Sequence, residues 1–527
     1  MMQTASNTIP APPPTVVPRL RIGKVCVAIQ ADSVDQLIAQ AAAVLQNSNA
    51  DSKFIELRLD ALSEPAAALP AIKNLLASQR EAVVIATCRR KPFGGHFTGS
   101  LTTELDLLLK AAQTGCQIVD LEVESAEETK PSQLSHWRAQ LHSAGAALLI
   151  SYHDFQRTEN LEQAEQRIEA FRPDFVKVVS TALSLADNLA ILKLIKLHSG
   201  AAQMVGIAMG EEGLASRVLG PRAGAAFTFA SSGDAAKTAP GQISALALRD
   251  IYHAGQLDQA TRVFGVAGDP IAHSFSPLMQ NTAFRRQGVN AVLLPLKTRS
   301  LDDLLTLVRE LPMAGVAVTM PLKQEVLPHL ANMDPLTSRI GACNTLRVGA
   351  DGKIVGFNTD VAGVVRPLEK RMQLKGARIA SLGAGGAARA AVFGLVAQGA
   401  EVFIVNRTHE NAVKLAAEAN ATAFRHEHLA KTHFDVLINS TPCGMAGNRQ
   451  KLPLAENELN AGLVFDMVYN PLETPLLKLA KAHGIPTVTG LEMFVQQGAR
   501  QFEIWTGKPA PEAEMLRVVE LALRKRG

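Results

Sequence analysis

Short apolar runs and helical patterns alternate along the first half of the chain. Eight runs rich in Val, Ile, Leu and Phe are typical of strands, and they begin at Lys24, Phe54, Val83, Gln117, Ala147, Phe175, Gln203 and Ala225. The segments between them, such as SVDQLIAQAAAVLQ and TTELDLLLKAAQ, place apolar residues at helical spacing. Eight β-then-α units predict an α/β fold of the (β/α)8 (TIM) barrel type. A doubly wound sheet is the structural alternative.

The second half also alternates strand and helix patterns, but its strands and turns follow a different order. The strand-like runs VFGVAG, AVLLPL, GVAVT and KIVGFN come first, and RIASLGAGGAARAAVFGLVAQGAEVFIVNRT follows them. That last stretch predicts a strand, a Gly-rich turn, a helix and a strand, as at the start of a Rossmann-type dinucleotide-binding domain. The expected organisation is a flexible tail over 1–23, the barrel over 24–256, a substrate-binding domain over 262–366 plus about 495–527, and the Rossmann domain over 367–494.

Composition narrows the possible functions. The 527 residues are 47% apolar and 19% charged, which is a globular balance in a chain too long for one core. A net charge of +4 without long basic runs argues against nucleic acid as a partner. Apolar runs fall short of the roughly 20 residues that cross a bilayer, and the Pro- and Ala-rich start lacks the apolar core of a secretory signal. The five cysteines have neither CxxC nor metal-ligand spacing. We therefore expect a cytoplasmic protein without a metal; its oligomeric state stays open.

Polar residues gather where the predicted barrel strands end, which is where barrel enzymes carry out their chemistry. Lys177 is the sole charge in the strand FVKVV. In an apolar, cation-rich pocket its amine would be uncharged and able to attack a ketone. His153 would then shuttle a proton, and Arg89 and Arg217 suit a carboxylate or a hydroxyl-rich ligand. Taken singly, Lys177 could instead snorkel outward to solvent, and His153 could be structural.

The first half resembles the type I dehydroquinate dehydratases over 24–250, in a set of motifs: ELRLD at 56–60, TCR at 87–89, SYHDF at 151–155, VKV at 176–178, MGEEGLASR at 209–217 and APGQI at 239–243. The resemblance implies that Lys177 forms a Schiff base with the substrate ketone. It implies that His153 removes the C2 proton and then protonates the departing hydroxyl. It also implies a substrate pocket lined by Glu56, Arg58, Arg89, Met209, Arg217, Phe229, Thr238 and Gln242.

Two positions depart from this family's pattern. Thr238 stands where Ser is usual and keeps the hydroxyl. Phe93 stands where members have a Glu near the catalytic His. A carboxylate that orients the imidazole would then be missing, so we expect a slower dehydratase that Phe93→Glu would accelerate.

The Gly-rich turn GAGGAA at 383–388 follows a predicted strand and opens a helix. Its glycines let the backbone approach a pyrophosphate at the helix N-terminus. Alone the motif is weak, because Gly-Ala clusters also serve close helix–strand packing. The next strand ends in Asn406-Arg407-Thr408, where NAD sites usually have an acidic residue that binds the ribose 2′-hydroxyl. A neutral residue followed by Arg favours a 2′-phosphate, and hence NADP.

Candidate substrate residues lie upstream of this turn. Ser274 and Ser276 in HSFSP offer two hydroxyls for a carboxylate, VTMPLK ends in Lys323, and NTD ends in Asp360. A Lys–Asp pair can relay a proton at a carbinol oxygen while hydride moves to a nicotinamide. Singly, Lys323 could be an exposed strand-end residue and Asp360 a helix N-cap.

Over 263–527 the chain resembles shikimate dehydrogenase, through these residues and ACNT at 342–345, INSTPCGM at 438–445, DMVYNP at 466–471 and GLEMFVQQ at 490–497. The resemblance implies that Lys323 and Asp360 are the catalytic pair. It places at the substrate Ser274, Ser276, Thr319, Asn344, Thr359, Tyr469 and Gln497. It places along the cofactor Gly383, Ala384, Gly385, Gly386, Ala387, Asn406, Arg407, Thr408, Met467 and Gly490. Ala317 replaces the usual Asn before V-T, which would remove a minor hydrogen bond.

The two resemblances are chemically continuous. Dehydration of 3-dehydroquinate gives 3-dehydroshikimate, which is the ketone that a shikimate dehydrogenase reduces with NADPH. The sequence therefore predicts a bifunctional enzyme of aromatic amino-acid biosynthesis whose partners are these small molecules. The alternatives are a quinate/shikimate dehydrogenase with an inactive barrel, which Phe93 motivates, and a metabolite-sensing regulator, against which Lys177 and Lys323 argue.

Overall fold

The computed structural model describes residues 20–46, 53–233, 241–272 and 274–526. The chain divides between Gln259 and Ala260 into two compact units. All five cysteines are free and buried. Among the described residues, none of the helices is long and apolar enough to cross a membrane.

The first unit consists of eight strands that alternate with helices. The strands are β1 Val25–Ile29, β2 Phe54–Arg58, β3 Val83–Thr87, β4 Ile118–Glu122, β5 Ala147–His153, β6 Phe175–Thr181, β7 Gln203–Met209 and β8 Thr228–Ser231. The helices are α1 Val34–Gln46, α2 Leu69–Ser78, α3 Leu101–Thr114, α4 Val123–Glu128, α5 Pro131–Ser143, α6 Leu161–Glu169, α7 Ala186–Leu197 and α8 Leu214–Ala223.

These strands form a parallel barrel, as the apolar pattern predicts. From β1 to β7 each strand pairs with the next, and β1 also pairs with β8, in the order β7-β6-β5-β4-β3-β2-β1-β8. Next to β7, the segment that leads into β8 also forms a hydrogen bond: the Ala226 amide donates to the Met204 carbonyl of β7, with an N···O distance of 2.8 Å. Strands such as β4 are buried on both faces, which is why they appear as continuous apolar runs rather than alternating ones.

The barrel interior has an apolar floor beneath a polar top. Phe54 and Phe175 meet Phe227 edge to face, with ring centroids 4.8 and 5.9 Å apart. A separate apolar layer joins the outer faces of the strands to the helices and includes Leu37, Ile72 and Leu108. The carboxyl ends of the parallel strands meet above the aromatic floor, and the charged residues lie at this end.

The second unit contains two six-stranded sheets. The first has β9 Arg262–Gly268, β10 Ala291–Lys297, β11 Met313–Val318, β12 Asn332–Met333, β13 Thr345–Val348 and β14 Ile354–Phe357. The second has β15 Arg378–Leu382, β16 Glu401–Val405, β17 Thr422–Ala423, β18 Phe434–Asn439, β19 Ala461–Asp466 and β20 Thr487–Val488. The helices are α9 Ser276–Arg286, α10 Leu301–Glu310, α11 Pro335–Ile340, α12 Asp360–Glu369, α13 Gly386–Ala397, α14 His409–Ala419, α15 Pro475–Ala482, α16 Gly490–Thr506 and α17 Glu512–Arg526.

The second sheet has the strand order of a dinucleotide-binding fold. Its parallel order β17-β16-β15-β18-β19-β20 is the 3-2-1-4-5-6 order of the Rossmann sheet, so the predicted Rossmann fold is confirmed. The first sheet is mixed, because β13 runs antiparallel to both β11 and β14. Sequence analysis missed β13, whose four residues TLRV are too few to show a clear alternation.

One long helix links the two sheets of this unit. At the start of α16, a Cβ on Gly490 would lie 2.5 Å from the Met467 carbonyl, beside β19. Near its other end, the Trp505 indole donates to the Leu346 carbonyl of β13 at 2.9 Å. The expected domain boundary at 494–495 therefore falls inside a continuous helix.

Candidate active sites

A cavity of about 180 Å³ opens at the carboxyl ends of the barrel strands. Its lining includes the residues that the sequence pointed to in the described part of the barrel: Glu56, Arg58, Arg89, His153, Lys177, Met209, Arg217, Phe229 and Gln242. Thr238, also predicted here, lies outside the described residues.

Lys177 points into this cavity. It lies on β6, is 4% exposed, and its Nζ is 2.8 Å from Asp120 Oδ2 and 3.8 Å from Glu56 Oε1. The Phe229 ring centroid is 4.3 Å from the same nitrogen. The outward, snorkelling alternative is therefore wrong. The expected cations are present, because Arg58, Arg89 and Arg217 line the cavity. The surroundings of the amine are not apolar, however, because two carboxylates face it.

His153 is oriented by a carboxylate. Its Nδ1 is 2.8 and 3.1 Å from the two oxygens of Glu122, and Arg89 Nε lies 2.7 Å from Glu122 Oε2. A carboxylate on Nδ1 favours the tautomer that carries its proton there, which leaves Nε2 as the basic nitrogen. Burial, aided by the positive charges of Arg89 and Lys177, lowers the pKa of His153 well below 6.5. The imidazole is thus neutral near pH 7, as a general base requires.

The consequence expected from Phe93 is not supported. The imidazole does have a carboxylate partner, Glu122, so the premise that such a group is missing is wrong. The Phe93 ring instead packs against the Arg90 guanidinium, 4.8 Å from its centroid, and Phe93 does not line the cavity. Arg90 in turn pairs with Glu104 on α3 at 3.0 Å.

The loop that carries Phe93 is tightly seated against the site. A Cβ on Gly95 would lie 2.0 Å from the Arg89 carbonyl oxygen. The neighbouring Gly94, with φ of +79°, would place a Cβ 2.4 Å from the Phe155 ring. Phe155 stacks on His153 with centroids 5.9 Å apart. The glycines therefore let the loop pack directly behind Arg89 and beside His153.

Two further arginines make the cavity attractive to an anion. Arg58 is held by Asp60 through two hydrogen bonds of 2.9 and 2.7 Å, and the same carboxylate accepts the His96 amide at 3.1 Å. Arg217 is 2% exposed, and burial lowers its pKa to about 10. Fixed guanidinium groups suit a carboxylate or a polyhydroxyl ligand.

Sequence reasoning missed the acidic partners of the two central residues. Asp120 and Glu122 end the otherwise apolar strand IVDLE, and Ser151 lies two residues before His153. The reasoning that singled out Lys177, a charge inside an apolar strand, would have found both acids. Their alternation also places them on one face of β4, towards the barrel interior.

The second site centres on a direct contact between the predicted catalytic pair. Lys323 Nζ is 2.6 Å from Asp360 Oδ2, and their side chains are 33% and 16% exposed. Asn344 Nδ2 donates to the other Asp360 oxygen at 2.8 Å, and Asn344 Oδ1 accepts the Thr359 amide at 2.8 Å. The carboxylate of Asp360 thus binds two side chains and is not a helix cap. Lys323 is anchored because its carbonyl accepts the Cys343 amide.

The remaining predicted substrate residues lie on two groups of elements in the second unit. Ser274 and Thr319 follow β9 and β11, which are parallel neighbours and end at the same sheet edge; Ser276 begins α9, where its amide donates to Ser274 Oγ at 3.2 Å. In the second group, Tyr469 stacks on Phe494 of α16, with centroids 5.2 Å apart. Gln497 Nε2 donates to the Phe494 carbonyl at 2.9 Å.

The Gly-rich turn joins β15 to α13 and contacts both neighbouring strand ends. The Gly383 amide donates to the Val405 carbonyl at the end of β16 at 2.7 Å. With φ of +115°, a Cβ on Gly383 would lie 2.7 Å from Ser440 Oγ, after β18. The turn therefore lies where the strand order reverses, with β16 on one side of β15 and β18 on the other. This switch point is the usual dinucleotide position in such sheets.

The same turn leaves room for a pyrophosphate. A Cβ on Gly385 or on Gly386 would meet nothing within 4 Å, so the N-terminus of α13 is open. Ala384 and Ala387 flank these glycines. Asn406, Arg407 and Thr408 follow β16 directly, and Asn406 Nδ2 donates to the Thr408 carbonyl at 2.9 Å. Arg407 is exposed. Open glycines beside an arginine fit an NADP-type group.

Two other sequence expectations concern packing and metals. Ala317 is buried among apolar residues that include Phe264 and Phe275, so its small side chain belongs to the core. A possible metal-ligand cluster lies outside both predicted sites, where Glu165, Glu169 and His198 converge. Both His198 nitrogens already have protein partners, Glu165 Oε1 at 2.5 Å and the Ala202 carbonyl at 2.8 Å.

These sites define a protein with a lysine-centred barrel enzyme and a two-domain dehydrogenase on one chain. Family models agree with this division: type I 3-dehydroquinase matches residues 25–259, the shikimate dehydrogenase substrate-binding domain 266–346, shikimate/quinate 5-dehydrogenase 367–446, and the shikimate 5-dehydrogenase C-terminal domain 490–520. The chain belongs to the family of bifunctional 3-dehydroquinate dehydratase/shikimate dehydrogenases, so the family predicted from the sequence is confirmed.

Three relatives illustrate the match. The chloroplastic bifunctional 3-dehydroquinate dehydratase/shikimate dehydrogenase of Arabidopsis thaliana is 32% identical over 93% of this chain and 83% of its own. The NADP(+) shikimate dehydrogenase of Methanosarcina acetivorans is 42% identical over 50% of this chain and 99% of its own. The pentafunctional AROM polypeptide of Yarrowia lipolytica is 32% identical over 90% of this chain and 32% of its own.

Proposed function

We propose that the barrel dehydrates 3-dehydroquinate to 3-dehydroshikimate, and that the second unit reduces 3-dehydroshikimate to shikimate with NADPH. The observation that carries the proposal is the pairing of each reactive group with a partner suited to its role. Lys177 and His153 line one cavity, and each is hydrogen-bonded to a different carboxyl group. In the second unit, Lys323 contacts Asp360.

In the barrel, the Lys177 ammonium releases a proton and the free amine attacks the substrate ketone. A proton returns to the hydroxyl of the adduct, which leaves as water and gives an iminium ion. This electron sink acidifies the adjacent C–H, and His153 Nε2 takes the C2 proton. The resulting imidazolium returns that proton to the departing hydroxyl, which leaves as water. Hydrolysis of the imine frees the product and restores the lysine. Arg58, Arg89 and Arg217 hold the anionic substrate during these steps.

In the second unit, Lys323 and Asp360 exchange a proton with the carbonyl oxygen that becomes an alcohol. Asn344 fixes the carboxylate for this task, and Thr359, Tyr469 and Gln497 are the proposed substrate contacts nearby. NADPH supplies the hydride when it is bound. Its proposed holders are the turn Gly383–Ala387, the run Asn406–Thr408, and Met467 and Gly490, with Arg407 directed to the 2′-phosphate.

Borohydride trapping tests the barrel proposal. Reduction of a Schiff base in the presence of 3-dehydroquinate should fix the ligand on Lys177, which peptide mass spectrometry would locate. Lys177→Ala should abolish trapping and dehydration but leave NADP-dependent shikimate oxidation unchanged, since that site lies in the other unit. Trapping on another lysine, or dehydration by the Ala variant, would refute the assignment.

We place the enzyme in the cytoplasm, although the Arabidopsis relative is named chloroplastic. Five free cysteines agree with a reducing compartment. Cell fractionation followed by assay of both activities would test this, and activity confined to an organelle would contradict it.

A further inference from the structure

A single hydroxyl lies between the two acids that serve the barrel's reactive groups. Ser151 Oγ is 2.5 Å from Asp120 Oδ1 and 2.9 Å from Glu122 Oε2. Ser151 pairs in register with Glu122 on one side and with Lys177 on the other. The two acids lie two residues apart on β4, so both side chains point into the barrel. Lys177 and His153 are thus connected by hydrogen bonds through Asp120, Ser151 and Glu122.

These contacts require a proton beyond the one on the hydroxyl. A serine hydroxyl donates once, yet two carboxyl groups lie within hydrogen-bonding distance of it. If both acids were ionised, one of the two oxygen–oxygen contacts of Ser151 would bring lone pairs together with no hydrogen between them. Ser151 is fully buried, and Asp120 and Glu122 are each 3% exposed. Such a contact would be costly at this depth.

The surroundings of the two acids indicate where this proton rests. Asp120 contacts the Lys177 ammonium, and that charge, with Arg89, lowers the pKa of Asp120 despite burial. Burial raises the pKa of Glu122 to about 7, although Arg89 opposes the shift. The charged or titratable groups in contact with the pair are Arg89, which follows β3, His153 from β5 and Lys177 from β6, with Glu56 of β2 beyond the lysine. Arg58 of β2, Cys26 of β1 and Glu104 of α3 also interact electrostatically with the two acids. With Lys177 charged, the proton rests on Glu122.

We propose that Ser151 passes this proton between Glu122 and Asp120, so that the negative charge of the pair moves from the lysine to the histidine during dehydration. The proposal rests on the barrel function proposed above. In one step the Glu122 proton moves to Ser151 Oγ while the Ser151 hydrogen moves to Asp120 Oδ1. Serine is unchanged, Glu122 becomes a carboxylate and Asp120 a neutral acid.

The shift matches the needs of the reaction. Before attack, an ionised Asp120 pairs with the charged lysine. Once His153 has taken the substrate proton, an ionised Glu122 stabilises the imidazolium through Nδ1, as a carboxylate beside a catalytic histidine does. Ser151 acts through these carboxyl groups and does not itself touch substrate, so it is a positioning residue.

The full-length Ser151→Ala and Ser151→Thr variants test the proposal. Without the hydroxyl, Glu122 must lose its proton to solvent, so the dehydratase kcat of the Ala variant should fall at least about tenfold below pH 7. It should recover as the pH rises above the pKa of Glu122, because the carboxylate then forms without transfer. Thr retains the hydroxyl and should restore kcat. Shikimate oxidation by the same samples gives the concentration of active second units.

Other outcomes would overturn the proposal. An Ala variant with kcat within twofold of wild type, or one impaired equally at every pH, would show that Ser151 passes no proton. Glu122→Gln covers the case in which Ser151→Ala fails to fold: it should lower kcat about 100-fold at all pH values, because Gln cannot ionise, and a normal rate would refute the shift. Failure of the wild type to trap substrate on Lys177 would refute the underlying function instead.

Discussion

The substitution Gly95→Ala tests how closely the loop behind Arg89 controls the barrel chemistry. Its new Cβ would lie 2.0 Å from the Arg89 carbonyl oxygen and 2.5 Å from the carbonyl carbon. Side-chain carbons essentially never approach such atoms closer than 3.0 Å, so the two backbone segments must separate by about 1 Å. Arg89 holds Glu122 at 2.7 Å, and Glu122 holds His153. The displacement therefore reaches His153, the proposed general base.

A misplacement of about 1 Å in a catalytic arrangement costs about 100-fold in rate, or about 2.7 kcal/mol of transition-state stabilisation. We expect dehydratase kcat/KM to fall by that factor and shikimate oxidation to stay unchanged. The matched control is Gly220→Ala in the same barrel, where the added Cβ would find its nearest neighbours at 3.7 Å. The control should stay within about twofold of wild type. A Gly95→Ala enzyme as active as the control would refute the link from loop to histidine.

Further predictions follow from single side chains. Phe93→Glu should change dehydratase kcat by less than about threefold, because Glu122 already orients the imidazole; a large gain in a steady-state assay would show that this position matters. Lys323→Ala should lower shikimate oxidation 100-fold or more, with the KM for NADP unchanged; retained turnover would exclude Lys323 as the proton carrier. Arg407→Ala should raise the KM for NADPH about tenfold and leave that for NADH unchanged; equal effects would contradict recognition of the 2′-phosphate. Because the pKa of His153 is depressed, its neutral form persists on acidification, and the acidic limb of dehydratase kcat/KM should lie below pH 6.5; a limb above that value would contradict a neutral resting imidazole.

Periodicity was a good guide to the barrel because its strands are buried on both faces and separated by amphipathic helices. The eight predicted strands are present, with β8 starting at Thr228 instead of Ala225. The same reasoning failed for β13, since a four-residue antiparallel strand carries too little pattern. The boundary expected near 494–495 lies within α16, which keeps one helical period while it packs against two sheets.

For the sites, sequence reasoning found the groups whose chemistry is conspicuous and missed those that hold them. Lys177 stands out as a lone charge in an apolar strand. The role of Ser151 depends on strand register, which sets it opposite Glu122, and register is not visible before the sheet is assembled. The Phe93 expectation failed for a related reason. A residue's absence at one position says nothing about a carboxylate that reaches the same imidazole from β4.

The most direct test of the account is NADPH consumption by the purified protein when 3-dehydroquinate is the sole substrate, with 3-dehydroshikimate as control. The account predicts consumption from both substrates. It also predicts that Lys177→Ala abolishes consumption from 3-dehydroquinate while leaving the control reaction at its full rate. Consumption from 3-dehydroshikimate alone in the wild-type enzyme would contradict an active barrel, and consumption from neither would contradict the bifunctional enzyme altogether.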